Sequence, residues 1–303
     1  MSERASVGLS EKSPGVLYIV ATPIGNLEDI TLRALRILKE ADVIAAEDTR
    51  RTRQLLTHFG IHKPLISYHE HNRRLREKSL LADLRQGKKV ALVTDAGTPG
   101  ISDPGEDLVR AAIQESIPLI PVPGPSALIS ALSISGLPTK SFLFYGFLPS
   151  RASVRQKFLS SLKDRAETLI FYESPRRLQA FLKDARAILG DRRGVVAREI
   201  TKVFEEVHRG TLSEILDRFG KEEVRGEVTI VLEGGSAQAE KESLAVGDAL
   251  TCRRQEGLSW KEAVAQVSRE LNIPRRAVYQ ESLRIRSQIN RTEGNESFPG
   301  KVP

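Results

Sequence analysis

Val93-Thr94-Asp95-Ala96-Gly97-Thr98-Pro99-Gly100-Ile101-Ser102-Asp103-Pro104-Gly105 decides how this chain folds. It follows a short apolar run, Val90 to Val93, and precedes an amphipathic segment, Leu108 to Ile113. Small, flexible and carboxylate residues therefore stand at the carboxyl end of a predicted strand. In open α/β sheets ligands bind at such ends, where glycine lets the backbone come close. Further on, Pro121-Val122-Pro123-Gly124-Pro125-Ser126-Ala127 repeats the arrangement behind a second apolar run. Two such loops on successive strand ends predict one cleft lined by main chain, in an enzyme that cradles a small ligand.

Working outward, apolar runs at Leu17 to Ala21, Val43 to Ala46, Pro64 to Ser67, Val90 to Val93 and Ile117 to Val122 read as strands. Helical patterns lie between and after them, at Thr31 to Lys39, Thr49 to Phe59, Asn72 to Gln86, Gly105 to Glu115 and Ser126 to Ser133. This alternation predicts a largely parallel sheet covered by helices. Gly136-Leu137-Pro138-Thr139 is a turn signal and an expected domain boundary. Beyond it, strands are expected at Phe142 to Phe147, Thr168 to Tyr172, Gly194 to Arg198, Val203 to Arg209 and Glu227 to Glu233. Helices are expected at Val154 to Leu162, Pro175 to Leu189 and Leu212 to Phe219. Adjacent strands near Glu205 and Val228 predict a mixed second sheet. Gly234 to Ala239 reads as a linker. Ser259 and Glu262 form a capping box, and Pro274 opens a second short helix carrying Arg275 and Arg276. This module reads as a helix-turn-helix or as a packing or dimerisation appendage. The expected divisions are thus a disordered 1–14, α/β domains at 15–137 and 138–234, a helical module at 244–290, and a disordered 291–303.

The chain has 303 residues, 40% of them hydrophobic, and a net charge of +7. One cysteine, Cys252, excludes an internal disulfide and a cysteine-based zinc site. No apolar stretch approaches the ~18 residues of a membrane span, and no secretory signal is legible. A cytoplasmic protein is expected, with no membrane partner. Positive charge is concentrated between Arg50 and Lys78, with eight basic and two acidic residues, and less strongly between Lys241 and Asn290, with nine and six. Such regions attract phosphate backbones or simply form a solvated charged face. Arg50, Arg51, Arg53, Arg73, Arg74, Arg275 and Arg276 are the candidate contacts to such a backbone. The dinucleotide fingerprint and the phosphate-loop pattern are absent, so neither a nicotinamide enzyme nor a nucleoside triphosphatase is favoured. No cluster has metal-ligand spacing, and no metal is expected.

Taken in order, Val20-Ala21-Thr22-Pro23-Ile24-Gly25-Asn26-Leu27, Ala46-Glu47-Asp48-Thr49-Arg50, Ser67-Tyr68-His69-Glu70-His71-Asn72, the Asp95 loop and Pro121 to Ala127 resemble a known family. It is the ribosomal RNA small subunit methyltransferase I family, the RNA-directed branch of the tetrapyrrole methylase (class III methyltransferase) superfamily. The resemblance runs from Val16 to Glu233 and includes the module near Leu244 to Ile289. It implies a two-domain tetrapyrrole-methylase-like α/β fold, with a parallel N-terminal sheet, a mixed second sheet and a small C-terminal helical module. It also implies S-adenosylmethionine-dependent methylation of a cytidine ribose 2′-oxygen in the decoding region of 16S rRNA, on naked RNA or the 30S subunit, by a homodimer.

Carried across position by position, the cofactor contacts fall on Ile24, Asp95, Ala96, Gly97, Thr98, Ile101, Ser126 and Ala127. From the second domain they take Glu173, Ile200, Thr201, Gly226 and Glu227. The sequence departs from the tetrapyrrole branch at Pro23-Ile24-Gly25 and at Thr98, where that branch carries glycine-proline-glycine and an acid. Candidate bases or orienting groups are Asp48, Glu173, Glu199 and Lys202, each just beyond a predicted strand; a helix cap or loop salt bridge is the competing reading of each. A tetrapyrrole (precorrin-type) methyltransferase and a non-catalytic RNA-binding factor are the alternative functions.

Overall fold

The computed structural model describes residues 15–220, 224–235, 237–271, 273–276, 278–283 and 285. The expected polar ends, 1–14 and 291–303, lie outside the described residues. The chain forms two compact units, one running to Ser160 and resuming over Glu167–Glu233, the other comprising Ser161–Ala166 and the segment from Gly234.

The first unit opens with β1 (Val16–Val20), α1 (Leu32–Glu40), β2 (Val43–Ala46), α2 (Thr49–His58), β3 (Leu65–Ser67), α3 (Arg73–Arg85), β4 (Lys89–Val93), α4 (Glu106–Gln114), β5 (Leu119–Val122) and α5 (Ala127–Ser133). Its five strands lie in the order β3-β2-β4-β1-β5, every pair parallel. Successive side chains of a strand point to opposite faces, so an unbroken apolar run fits a sheet covered on both. That is the packing found. Tyr18, Val20, Ile44 and Ala46 meet Ala34, Ile37 and Leu38 of α1 and Leu56 of α2. Leu17, Val43, Ala45 and Leu92 face the other way, toward Leu80 and Leu84 of α3 and Leu108 of α4.

The same unit continues with β6 (Phe142–Phe147), α6 (Ala152–Ser161), β7 (Thr168–Glu173), α7 (Pro175–Leu189), β8 (Arg193–Arg198), β9 (Glu206–Thr211), α8 (Leu212–Phe219) and β10 (Val228–Leu232). The strand order is β6-β7-β10-β8-β9; β6 and β7 are parallel and the other pairs antiparallel. The expected pairing of strands near Glu205 and Val228 is not made, because β8 lies between β9 and β10. The strand expected from Val203 begins only at Glu206. Residues 199–205 form a turn instead: Glu199 and Thr201 take φ of 51° and 68°, and the Glu205 carboxylate accepts from the Thr201 amide at 2.6 Å. Val203 and Phe204 are left 94% and 73% exposed, so their apolar character misled a reading based on pattern.

In the second unit α9 (Ala237–Gln255) begins inside the stretch read as a linker, and α10 (Trp260–Glu270) follows. The capping box is formed, with the Glu262 amide donating to Ser259 Oγ at 3.3 Å and the Ser259 amide to Glu262 Oε2 at 2.9 Å. Residues 275–276 and 278–283 are helical. Val246, Leu250, Ala263, Val267 and Val278 share one small core.

Candidate functional site

Parallel strands present their carboxyl ends on one edge of the sheet, and here the loops after β1, β4 and β5 gather there. The first two are tied by a reciprocal pair of bonds: the Thr22 amide donates to the Gly97 carbonyl at 2.9 Å, and the Gly97 amide to the Thr22 carbonyl at 3.0 Å. Buried Thr22 also donates its hydroxyl to the Thr94 carbonyl. Gly97 holds φ at +81°, a left-handed conformation that only glycine takes without strain. Ser102 adopts φ of 64°, and its hydroxyl lies where a side chain on Gly146 of β6 would stand, at 2.7 Å from an added Cβ. Loop and second sheet therefore meet at a point where only glycine fits.

Between the sheets lies a cavity of about 380 Å³. Every residue expected to hold the cofactor lines it, with one exception. Thr201 stands aside and accepts the Asn26 amide proton on its hydroxyl at 3.1 Å. That bond links the first loop to the turn after β8, and Gly25 sits so close to this turn that an added Cβ would fall 2.4 Å from Lys202. The cavity's size suits a small ligand, and apolar walls with a few convergent polar groups are the usual composition of such sites.

Its charge is one-sided. Glu47, Asp95, Asp103 and Glu227 all line it, against one cation, Arg51, which pairs with Asp95 at 3.4 Å. Asp95 also accepts the Asp48 amide at 3.1 Å and donates its own amide to Glu47 at 3.3 Å, lacing the ends of β2 and β4 together. Burial, with repulsion from Asp95, raises the Glu47 pKa. Burial raises Asp103 further, to about 7, with Glu47, Asp95 and Glu227 adding to the effect. Tyr172, whose hydroxyl oxygen accepts the Leu128 amide, is raised chiefly by burial. A surplus of carboxylates in a partly apolar wall fits a cationic ligand with an apolar body, such as a sulfonium nucleoside.

The four sequence candidates for proton transfer turn out to be structural to different degrees. Asp48 caps α2, accepting the Arg50 amide at 2.8 Å, and lies outside the cavity wall. Its side-chain bonds from Arg50 hold its carboxyl well below the usual range, which makes it a poor base. Lys202 bridges Glu199 at 2.8 Å and Glu227 at 3.2 Å. Burial opposes its charge, but the bond to Glu199 and the charge of Glu227 outweigh it and raise the pKa, so the lysine stays protonated and cannot accept a proton. Glu199 is lowered, because that lysine and the Glu227 amide outweigh its burial. Glu173 does line the cavity: Oε1 accepts from the Ser174 amide and from Arg177, while buried Oε2 has no partner. Lys202 thus positions Glu227, and Lys202→Met is expected to keep methyl transfer within about tenfold of wild type; a loss of a thousandfold or more, of the size a general acid–base group supplies, would contradict this.

Sequence reasoning missed Glu47, Ser102, Asp103, Phe147 and Tyr172 as parts of the wall. Asp103 was within the decisive stretch but carried no signal separating it from an ordinary loop acid. Of the basic candidates, Arg51 reaches the cavity, Arg50 pairs with Asp48, and Arg73 pairs with Glu70 and Asp107. Arg53 and Arg74 are exposed. Arg275 and Arg276 lie in the second unit, where with Lys261, Trp260 and Tyr279 they line a separate concavity of about 510 Å³.

A parallel sheet and a mixed sheet with an acid-lined cavity of about 380 Å³ between them define the class: a two-sheet α/β protein with a small-molecule site. A family model described as Tetrapyrrole (Corrin/Porphyrin) Methylases matches residues 16–216. The ribosomal RNA small subunit methyltransferase I of Halalkalibacterium halodurans is 48% identical over 270 residues, covering 88% of this chain and 93% of that protein. That of Thermotoga maritima is 52% identical over 220 residues, 73% of this chain and 99% of its own length. Among solved structures, a cobalt precorrin-4 methyltransferase shares the fold at a TM-score of 0.56 and 20% identity, over 72% of this chain and 94% of that one. The uroporphyrin-III C-methyltransferase of Thermus thermophilus, complexed with S-adenyl homocysteine, does so at 0.51 and 22%, over 72% and 97%. This chain belongs to the ribosomal RNA small subunit methyltransferase I family, S-adenosylmethionine-dependent enzymes of the tetrapyrrole methylase superfamily.

Proposed function

We propose that the chain transfers the methyl group of S-adenosylmethionine to the 2′-oxygen of a cytidine in the decoding region of 16S rRNA. The observation that carries this reading is the acid-lined cavity at the joined ends of β1 and β4, in a chain whose relatives at 42–52% identity bear the name of small-subunit rRNA methyltransferases. The tetrapyrrole enzymes share the fold at only 20–23% identity, which says nothing of substrate.

When bound, the cofactor supplies an electrophilic methyl on a positive sulfur. The Ala96–Thr98 loop and the backbone at Gly226 and Glu227 would hold it, and Glu47, Asp95, Asp103 and Glu227 would balance its charge. Placing two reactants in one water-poor cleft lowers the barrier by several kcal/mol. Incubation with labelled donor and 30S subunits, naked 16S rRNA or a precorrin tests the reading. Label recovered as 2′-O-methylcytidine supports it; label in the precorrin alone, or no label despite RNA binding, rejects it.

Arg53 and Arg74, exposed on α2 and α3, are proposed to meet RNA phosphates, as are Arg275 and Arg276 beside the aromatic pair of the second unit; Arg50 and Arg73 would first have to leave their carboxylate partners. Each phosphate contact contributes about one unit to the salt slope of binding. Arg53→Glu with Arg74→Glu is therefore expected to lower the slope by about two and to raise KM for 30S subunits, with S-adenosylmethionine affinity unchanged. A salt titration of RNA binding checks it. A homodimer in the cytoplasm completes the proposal, the dimer testable by sedimentation. Among the described residues no helix is long and apolar enough to cross a membrane.

A further inference from the structure

We infer that the Asp103 carboxylate is the group that takes the proton from the ribose 2′-hydroxyl, and that its acidic neighbours couple this step to the loss of positive charge from the methyl donor. The inference rests on the proposed methyl transfer and assigns a residue to it.

Asp103 differs from the other carboxylates in and around the cavity. Asp48 is bound by Arg50, Asp95 by Arg51 and the Asp48 amide, and Glu173 by Arg177 and the Ser174 amide. Glu199 and Glu227 share Lys202, and Glu47 accepts the Asp95 amide. Asp103 has neither a hydrogen bond nor an ion pair among the described residues, although it is half-buried and lines the cavity. The charges that act on it are Glu47, Asp95 and Glu227, all negative. Tyr172 on β7, Glu173 at its end and Arg51 on α2, the last turned to Asp95, complete the titratable groups of the cavity wall. Its backbone follows Ser102, a non-glycine residue held in the left-handed region, a conformation tolerated where surrounding structure over-determines it.

A carboxylate left without donors keeps its lone pairs for a reacting group, and one whose pKa stands at about 7 is matched to general-base work at neutral pH. In the step itself Asp103 takes the hydroxyl proton while the O2′ electron pair closes on the methyl carbon and the carbon–sulfur pair withdraws onto sulfur. The charges balance: a carboxylate and a sulfonium become a carboxylic acid and a neutral thioether. Before transfer the positive sulfur lowers the proton affinity of Asp103 and keeps it ionised. Afterwards only Glu47, Asp95 and Glu227 remain, and they hold the proton on it. The same acidic wall that draws the donor in therefore makes the transfer of the proton one-way.

Asp103→Asn, isosteric and without the acid, tests the inference. Calorimetry of S-adenosylmethionine binding at pH 7, in two buffers of different ionisation enthalpy, is expected to show release of about half a proton by the wild type, as a group with pKa near ambient pH is driven to its charged form. The variant is expected to release none, with Kd changed less than tenfold; S-adenosylhomocysteine, lacking the sulfonium charge, is expected to cause less release in the wild type. Single-turnover methylation of 30S subunits should fall by about 10²–10⁴-fold in Asp103→Asn and lose its acid limb, with part of the rate returning in Asp103→Glu. An Asp103→Asn rate within threefold of wild type overturns the inference, and so does loss of donor binding or equal proton release in a folded variant. A wild-type protein that binds the donor yet makes no 2′-O-methylcytidine overturns the proposed function instead.

Discussion

Gly97→Val is expected to weaken S-adenosylmethionine binding at least 100-fold while both sheets stay folded. Space is not the obstacle, because an added Cβ would meet only Ile24, at an ordinary 3.6 Å. Conformation is. A β-branched residue at φ of +81° costs on the order of 1–3 kcal/mol. The loop can escape that strain by rotating the peptide, which breaks the two bonds to Thr22, each contributing about 1 kcal/mol net. Either response moves the Ala96 and Thr98 backbone that lines the cavity, and about 2.7 kcal/mol is a hundredfold in affinity. Calorimetry measures the loss and circular dichroism the fold. Gly60→Val is the control: Gly60 also holds a positive φ, 64°, but lies after α2 with nothing within 4 Å of an added Cβ. It should lower thermal stability and leave donor affinity alone. Wild-type affinity in Gly97→Val would remove this loop from the site.

Arg177→Leu is expected to destabilise the first unit by about 3 kcal/mol, the lower end of what breaking a buried ion pair costs. The Glu173 side chain is fully buried, and its Oε1 receives the guanidinium at 2.7 and 2.6 Å. Arg177 also donates to the Leu148 carbonyl at 3.2 Å, joining the end of β7 to the chain after β6. Removing it leaves a carboxylate with the Ser174 amide as its remaining donor. For a unit of this size the melting temperature should fall by roughly 10 °C. Adding Glu173→Gln removes the stranded charge and is expected to recover part of that loss. Equal melting temperatures for wild type and Arg177→Leu would show that the pair stabilises nothing.

The parallel sheet was legible because its central strands, β2, β4 and β1, are largely buried on both faces, so each appears as an apolar run between turn residues; Val43–Ala46 matches residue for residue. The Ser259–Glu262 box was legible because it is a contact between neighbours in the chain. Val203 to Arg209 failed because Val203 and Phe204 stand exposed in a turn, closed by Glu205 on the Thr201 amide and tied by Lys202 to distant Glu227. The long helix from Ala237 was hidden behind small and polar residues that resemble a linker.

The sequence by itself determined the order of strands and helices, the glycine-bearing loops and the family, all of which are written in local patterns and their succession. Only the tertiary structure decided which acids are caps, which are paired and which stands alone. Glu47, Asp95, Asp103 and Glu227 come from the ends of β2 and β4, the loop before α4 and the approach to β10. A carboxyl group's proton affinity depends on the charges and solvent within a few ångströms of it, and no spacing along the chain encodes that.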